Sequence, residues 1–194
     1  MQLVFASANK HKIAELASLI NPGITLIGLS EIGCLEEIPE TSATIEGNAL
    51  QKALYVYNQY KLNCFADDTG LEVEALDGRP GVFSARYAGN DRNAEKNMQK
   101  ILKELDGNTN RNACFRTVIA LVLDGKQAAF EGLVRGEILT EKQGKQGFGY
   151  DPIFRPLGFT KSYAEMSLEE KNKFSHRAIA VHKLVEYLKG LISS

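Results

Sequence analysis

Two β-rich runs, Ala113 to Leu123 and Lys126 to Ile138, flank a two-residue Asp124-Gly125 step, and no other stretch constrains the fold as much. Asp-Gly between β-forming runs predicts a tight hairpin, because both turn residues must adopt positive φ and these two tolerate it. The rest of the chain alternates short apolar runs with helical periodicity, the pattern of strands joined by crossover helices. A long antiparallel hairpin added to that framework requires a mixed sheet.

Leu3 to Ala6 predicts the first strand, and Ile13, Leu16, Ala17 and Ile20 predict a helix that Pro22-Gly23 ends. Ile24 to Leu29 reads as a second strand. Residues 31 to 47 then carry five Glu and no Lys or Arg before a helix led by Thr44, with Leu50, Ala53, Leu54 and Tyr57 on its inner side. Asn63 to Ala66 is a strand stub that ends at Asp67-Asp68, and Leu71, Val73 and Ala75 alternate until Asp77-Gly78 and Arg79-Pro80-Gly81 turn the chain. Met98, Ile101, Leu102 and Leu105 mark a third helix closed by Asp106-Gly107. Beyond the hairpin, Ser167 to Glu170 has capping-box form, and Ser175 starts a last helix with Ala178, Val181, Val185 and Leu188 facing inward. The expected fold class is α/β, with an elongated mixed central sheet, flanking helices and a long β-hairpin. We expect one domain, 1–194, with room for two lobes around a central cleft.

Composition narrows the partners. A chain of 194 residues that is 44% hydrophobic buries one sizeable core. Its formal net charge of -1 supplies no field to hold nucleic acid or an anionic membrane, so neither is an expected partner. Cys34, Cys64 and Cys114 are odd in number and form no C-x-x-C pair, which suggests neither a disulfide framework nor a zinc site. The apolar run near the N-terminus is far short of a signal or spanning segment, and a cytoplasmic location is expected.

Ligands of α/β sheets collect where strands give way to helices. In "SANKHK", Ser7 and Asn9 can bond a phosphate at a helix N-terminus beside the charge of Lys12; an ordinary cap and a solvated lysine account for the same residues. In "FADDTG", the adjacent carboxylates of Asp67 and Asp68 repel unless they share a cation or a proton, which points to a divalent metal. Magnesium fits, since it takes oxygen ligands and bridges carboxylates to phosphates. A polar turn with Thr69-Gly70 is the competing account. Glu40 can add an oxygen ligand, whereas Glu31, Glu36 and Glu37 read as a solvated face. Residues 141 to 194 carry nine Lys or Arg against six Asp or Glu, a balance suited to a triphosphate.

In "GFGYDP", Phe148 and Tyr150 can stack on a base while Asp151 reads its edge, or the stretch is simply a loop entering a strand. "SHR" offers His176 and Arg177 as donors to a ligand oxygen, with helix capping as the alternative. No Walker loop, dinucleotide fingerprint, H-E-x-x-H or G-x-S-x-G occurs.

"SANKHK", "ETSATIEGNALQKA", "FADDTGLEVEALDGRPGVFSARYAG", "GFGYDPIF" and "EMSLEEKNKFSHRAIA", in that order, resemble the inosine triphosphate pyrophosphatase family from residue 3 to about residue 190. The resemblance implies magnesium-dependent hydrolysis of ITP, dITP and XTP to the monophosphate and pyrophosphate, by a homodimer. Carried over by position, Ser7, Ala8, Asn9, Lys10, His11 and Lys12 would hold phosphates, Glu40 and Asp68 would hold Mg2+, and Asp68 would also accept the proton. Thr69 would touch the substrate, Phe148, Gly149, Tyr150, Asp151 and Lys171 would line its pocket, and His176 and Arg177 would contact the base. The chain departs from the family at Ile45 and Gly47, where Phe and Glu are frequent, and at Ser42, where Gly is. Two alternatives are a pyrophosphatase for other modified triphosphates and a non-catalytic nucleotide sensor.

Overall fold

The computed structural model describes residues 1–20 and 23–192. In chain order the elements are β1 (Gln2–Phe5), α1 (Lys10–Ala17), β2 (Thr25–Gly28), α2 (Ile45–Tyr60), β3 (Cys64–Val73), β4 (Pro80–Gly81), α3 (Ala94–Glu104), β5 (Asn112–Leu123), β6 (Lys126–Ile138), β7 (Phe154–Pro156), α4 (Leu168–Asn172) and α5 (His176–Ile192). The strands hydrogen-bond in the order β2-β1-β3-β5-β6-β7, with β4 on β3, which makes the fold mixed α/β as the hairpin requires. At its turn Asp124 has φ 49° and Gly125 φ 78°, the two positive values that the Asp-Gly step predicts.

The chain divides into two compact units. The first comprises Met1–Asp68, Thr117–Gly132 and Arg177–Ser194. There β1 lies parallel to both β2 and β3, with Leu3 opposite Leu26 and Phe5 opposite Phe65. Leu3, Phe5, Leu16, Phe65, Ile119 and Leu121 pack with Val181, Leu184 and Leu188 of α5. Full burial of such side chains stabilises by about 1.5–3 kcal/mol each, so this apolar centre makes a rigid seat for the charged groups described below. The second unit comprises Thr69–Arg116 and Leu133–His176. In it β4 and β7 pair antiparallel with β3 and β6, over a core that includes Leu71, Met98, Ile101, Phe115, Ile138, Phe154 and Tyr163.

Two expectations are corrected. Asp67-Asp68 does not end a strand: β3 runs unbroken for 10 residues through both carboxylates to Val73. Successive strand residues point to opposite faces, so adjacency in sequence does not put the two carboxylates side by side, and each finds its own cation. The inner face of α2 is also rotated. Its buried residues are Ile45, Asn48, Ala49, Lys52, Ala53 and Val56, while Leu50, Leu54 and Tyr57 are half-buried. Tertiary partners override the apolar periodicity here, because Asn48 and Lys52 are taken inward by the acidic groups. Pro22, read as the stop of the first helix, lies outside the described residues.

Candidate active site

The first unit gathers four acids and three cations around β3. Asn9 caps α1, its side-chain oxygen accepting from the backbone N–H of His11 (3.0 Å) and Lys12 (3.2 Å), and Ser7 Oγ accepts from Asn9 N at 3.3 Å. Asn9 is therefore an ordinary cap, but Lys12 is not the solvated lysine of that account. One turn into the helix, the Lys12 ammonium reaches Asp67 Oδ2 at 2.9 Å. Ala8, Asn9, Lys10 and His11 are exposed, so the rest of this loop presents its surface to solvent.

Asp67 is fully buried, and its Oδ2 also accepts from Arg177 Nε at 3.3 Å. Arg177 in turn pairs through Nη1 with the buried carboxylate of Glu15 on α1. Burial pushes the Asp67 carboxyl up, but Lys12, Arg177 and Lys52 outweigh it and hold the group well below the usual carboxylate range. Asp67 is thus held as an anion that anchors two cations.

Asp68 behaves oppositely. Burial raises its pKa against the pull of Lys52 and Lys12, with Glu40 and Asp67 adding to the rise. Asn48 Nδ2 donates to Asp68 Oδ2 at 3.4 Å, and Lys52 Nζ stands 3.6 Å from Oδ1. The same Lys52 ammonium pairs with Glu40 Oε1 at 2.5 Å and donates to the Asp67 carbonyl at 2.7 Å. Burial opposes the charge on Lys52, yet Asp68, Asp67 and Glu40 raise its pKa.

Asn48, Gln51 and Lys52 were not singled out by the sequence, and all three position the Glu40 loop from α2. Asn48 Oδ1 accepts from Ser42 N, and Gln51 both accepts from Thr41 N and donates to Thr41 Oγ1, each at 2.9 Å. Their i, i+3, i+4 spacing places them on one helix face. That spacing is the signal available in the sequence.

The second unit holds the other group of sequence-derived residues. Lys171 Nζ pairs with Asp151 Oδ2 at 2.7 Å, both side chains buried, and Phe148 N donates to the same oxygen at 2.9 Å. The Lys171 ammonium lies 5.1 Å from the Phe148 ring centroid and 5.2 Å from that of Tyr163, within cation-π range. Tyr150 sits in the unit's core with its hydroxyl donating to Ser84 O at 2.7 Å. His176 is buried and stacks on Phe115, ring centroids 4.6 Å apart. Thr69, the residue after Asp68, is half-buried on β3.

The model of the Ham1 family matches residues 3–187. The chain belongs to the Ham1 family. It is 57% identical over 190 residues to the dITP/XTP pyrophosphatase of Flavobacterium psychrophilum, covering 98% of this chain and 100% of that protein. It is 42% identical over 193 residues to the dITP/XTP pyrophosphatase of Bacillus subtilis, with 97% and 98% covered. Among solved structures, the Ham1 protein of Staphylococcus aureus superposes with a TM-score of 0.90 at 40% identity, over 98% of this chain and 99% of that one. The corresponding protein of Coxiella burnetii gives 0.91 at 38% identity over the same shares.

In this Ham1-family chain, no three His, Cys, Asp or Glu side chains among the described residues assemble into a ready-made metal cage. The donor set nevertheless suits magnesium, which binds through one or two carboxylates and completes its shell with water and phosphate. Lys52 supplies the test of fit: a single cation already draws Glu40 and Asp68 toward one point. No helix among the described residues is long and apolar enough to cross a membrane.

Proposed function

We propose that this chain hydrolyses deaminated purine nucleoside triphosphates (ITP, dITP and XTP) to the monophosphate and pyrophosphate. The observation that carries the reading is the convergence of Glu40 and Asp68 on one cation, one strand residue away from the Asp67 that anchors Lys12, in a Ham1-family chain.

Glu40 and Asp68 are the residues that would hold Mg2+, which when bound neutralises phosphate charge and supports the leaving pyrophosphate. Asp68 accepts a proton from the water that attacks the α-phosphorus, as the bond from that phosphorus to the bridging oxygen breaks and pyrophosphate departs. A positioned carboxylate serves as a general base of this kind. Lys12, fixed by Asp67, contributes positive charge at the head of α1, where Ser7 to Lys12 take phosphate oxygens. Thr69 follows Asp68 toward the substrate. Phe148, Gly149, Tyr150, Asp151 and Lys171 form the base pocket, Phe148 as the stacking surface and Tyr150 and Asp151 as its frame. His176 and Arg177 are assigned to the base; hypoxanthine and xanthine carry a 6-oxo acceptor where adenine has an amino donor, so protein donors favour them. The enzyme is proposed to act in the cytoplasm, as one domain in each subunit of a homodimer.

The test is a magnesium-dependent assay on ITP, dITP, XTP, GTP and ATP that measures pyrophosphate and orthophosphate separately. Pyrophosphate from the first three and little from the last two is expected. Orthophosphate as the product, or equal turnover of all five, defeats the reading.

A further inference from the structure

Lys52 has a position that the proposed reaction leaves unexplained. Its ammonium rests between the two carboxylates assigned to the metal, 2.5 Å from Glu40 Oε1 and 3.6 Å from Asp68 Oδ1, and is tied by a 2.7 Å bond to the Asp67 carbonyl. The side chain is buried, so an ammonium pushed off these carboxylates loses the anions that compensate its burial. We propose that Lys52 acts as a resident counter-cation that makes divalent-metal entry depend on the nucleotide.

The argument is one of exchange. A divalent ion arriving alone must share Glu40 and Asp68 with Lys52, or leave a buried ammonium without an anion, and both cost free energy. The Lys12 and Arg177 charges, already held by Asp67, add to the repulsion. A triphosphate changes the balance, because its anionic oxygens accept the displaced ammonium while the ion takes the carboxylates. Lys52 thus biases the protein against free metal and toward the metal-triphosphate complex. It is a positioning residue by this account, and the proposal rests on the pyrophosphatase reading for the identity of the metal ligands.

The test uses Mn2+ as a paramagnetic replacement for magnesium, titrated into nucleotide-free protein and followed by electron paramagnetic resonance. Wild type should bind Mn2+ weakly. Lys52→Met and Lys52→Gln, which remove the charge without and with a remaining hydrogen-bond donor respectively, should each bind it at least about tenfold more tightly, the floor expected for removing one nearby positive charge. Lys52→Arg, which keeps the charge, should remain weak. Neutral variants that bind Mn2+ no more tightly than wild type overturn the proposal. Wild type alone provides a second arm should the variants fail to fold: its Mn2+ affinity should rise when an α,β-imido analogue of ITP is present, after subtraction of binding to the analogue itself. Equal affinity with and without the analogue also overturns it. Neither arm requires turnover, so a protein that releases pyrophosphate but shows no Lys52 effect refutes this inference alone, and one with the Lys52 effect but no pyrophosphate release refutes only the reaction.

Discussion

The Ser42 side chain fills the space that a β-carbon on Gly47 would need: such a carbon would lie 1.9 Å from Ser42 Oγ and 2.7 Å from Ser42 Cβ. Ser42 and Gly47 are therefore one packing unit. The serine can stand at 42 because the helix offers no side chain at 47. Gly47 N is meanwhile bonded by the Thr44 cap at 3.0 Å, so the first turn of α2 and the Glu40 loop are locked together.

Gly47→Ala should accordingly destabilise the protein by about 1–3 kcal/mol through overpacking, although alanine in an open helix gains about 1 kcal/mol over glycine. Ser42→Gly should be mild, since it loses only the 3.3 Å bond from Thr44 N and some packing. The double variant should be more stable than Gly47→Ala alone, giving a coupling of opposite sign to both single losses. Urea denaturation of the four proteins measures this. A Gly47→Ala protein as stable as wild type would show that the loop yields without cost.

Asp67 gives a pH-dependent prediction. At neutral pH, Asp67→Asn leaves Lys12 and Arg177 facing a neutral amide in a buried setting, a loss of about 3–5 kcal/mol. The sign follows from the depressed pKa of Asp67 in the folded state. In the unfolded chain an aspartate protonates near about 3.9, so below that pH the unfolded state takes up a proton that the folded state refuses. Stability owed to Asp67 is fully present above the unfolded value and is lost as pH falls toward the folded one. The gap between wild type and Asp67→Asn should be widest at pH 6 to 7 and should narrow below about pH 4. Asp68 has the opposite sign but is common to both proteins. A gap that stays constant down to pH 3 would contradict the ion-pair account.

The hairpin is legible in the sequence because Asp124-Gly125 admits few backbone solutions, and Ser167 to Glu170 is legible because its capping box closes within four residues. The inner face of α2 is not, since Asn48 and Lys52 make the buried side look polar and draw the eye to Leu50 and Leu54. The continuity of β3 is hidden for a related reason. The cations that let Asp67 and Asp68 lie within a strand come from distant positions, Arg177 being 110 residues from Asp67 in sequence. Local pattern reports turns, caps and apolar stripes; it cannot report charges that are reconciled only once the chain has folded.

Asp68→Asn separates proton acceptance from binding. The amide is nearly isosteric and can still meet Asn48 and Lys52, but it cannot take a proton from water. Turnover of ITP should fall by about 100-fold to 10,000-fold, the usual contribution of a general base, and loss of a metal ligand would add to that. Equilibrium binding of ITP should persist, because Lys12, proposed to hold phosphate, is untouched. Activity within a few-fold of wild type would remove Asp68 from the proton-accepting role.

Gly147 and Gly149 provide a matched comparison in the second unit. Both have positive φ, 73° and 64°, so alanine at either meets backbone strain of about 1 kcal/mol. Only at Gly147 does a side chain also collide: its β-carbon would fall 2.1 Å from Asp151 Oδ2, whereas nothing lies within 4 Å at Gly149. That oxygen is the one on which Lys171 and the Phe148 amide both depend. Gly147→Ala should therefore displace the carboxylate, release the Lys171 ammonium from its place over Phe148 and raise the KM for ITP by about tenfold or more, the effect of roughly one lost charge-assisted contact. Gly149→Ala should leave KM within about twofold, because strain without collision does not move the carboxylate. Steady-state kinetics on the two variants, with thermal melts to confirm that both fold, decide the matter; equal KM values would mean that the Asp151 hub does not organise the base pocket.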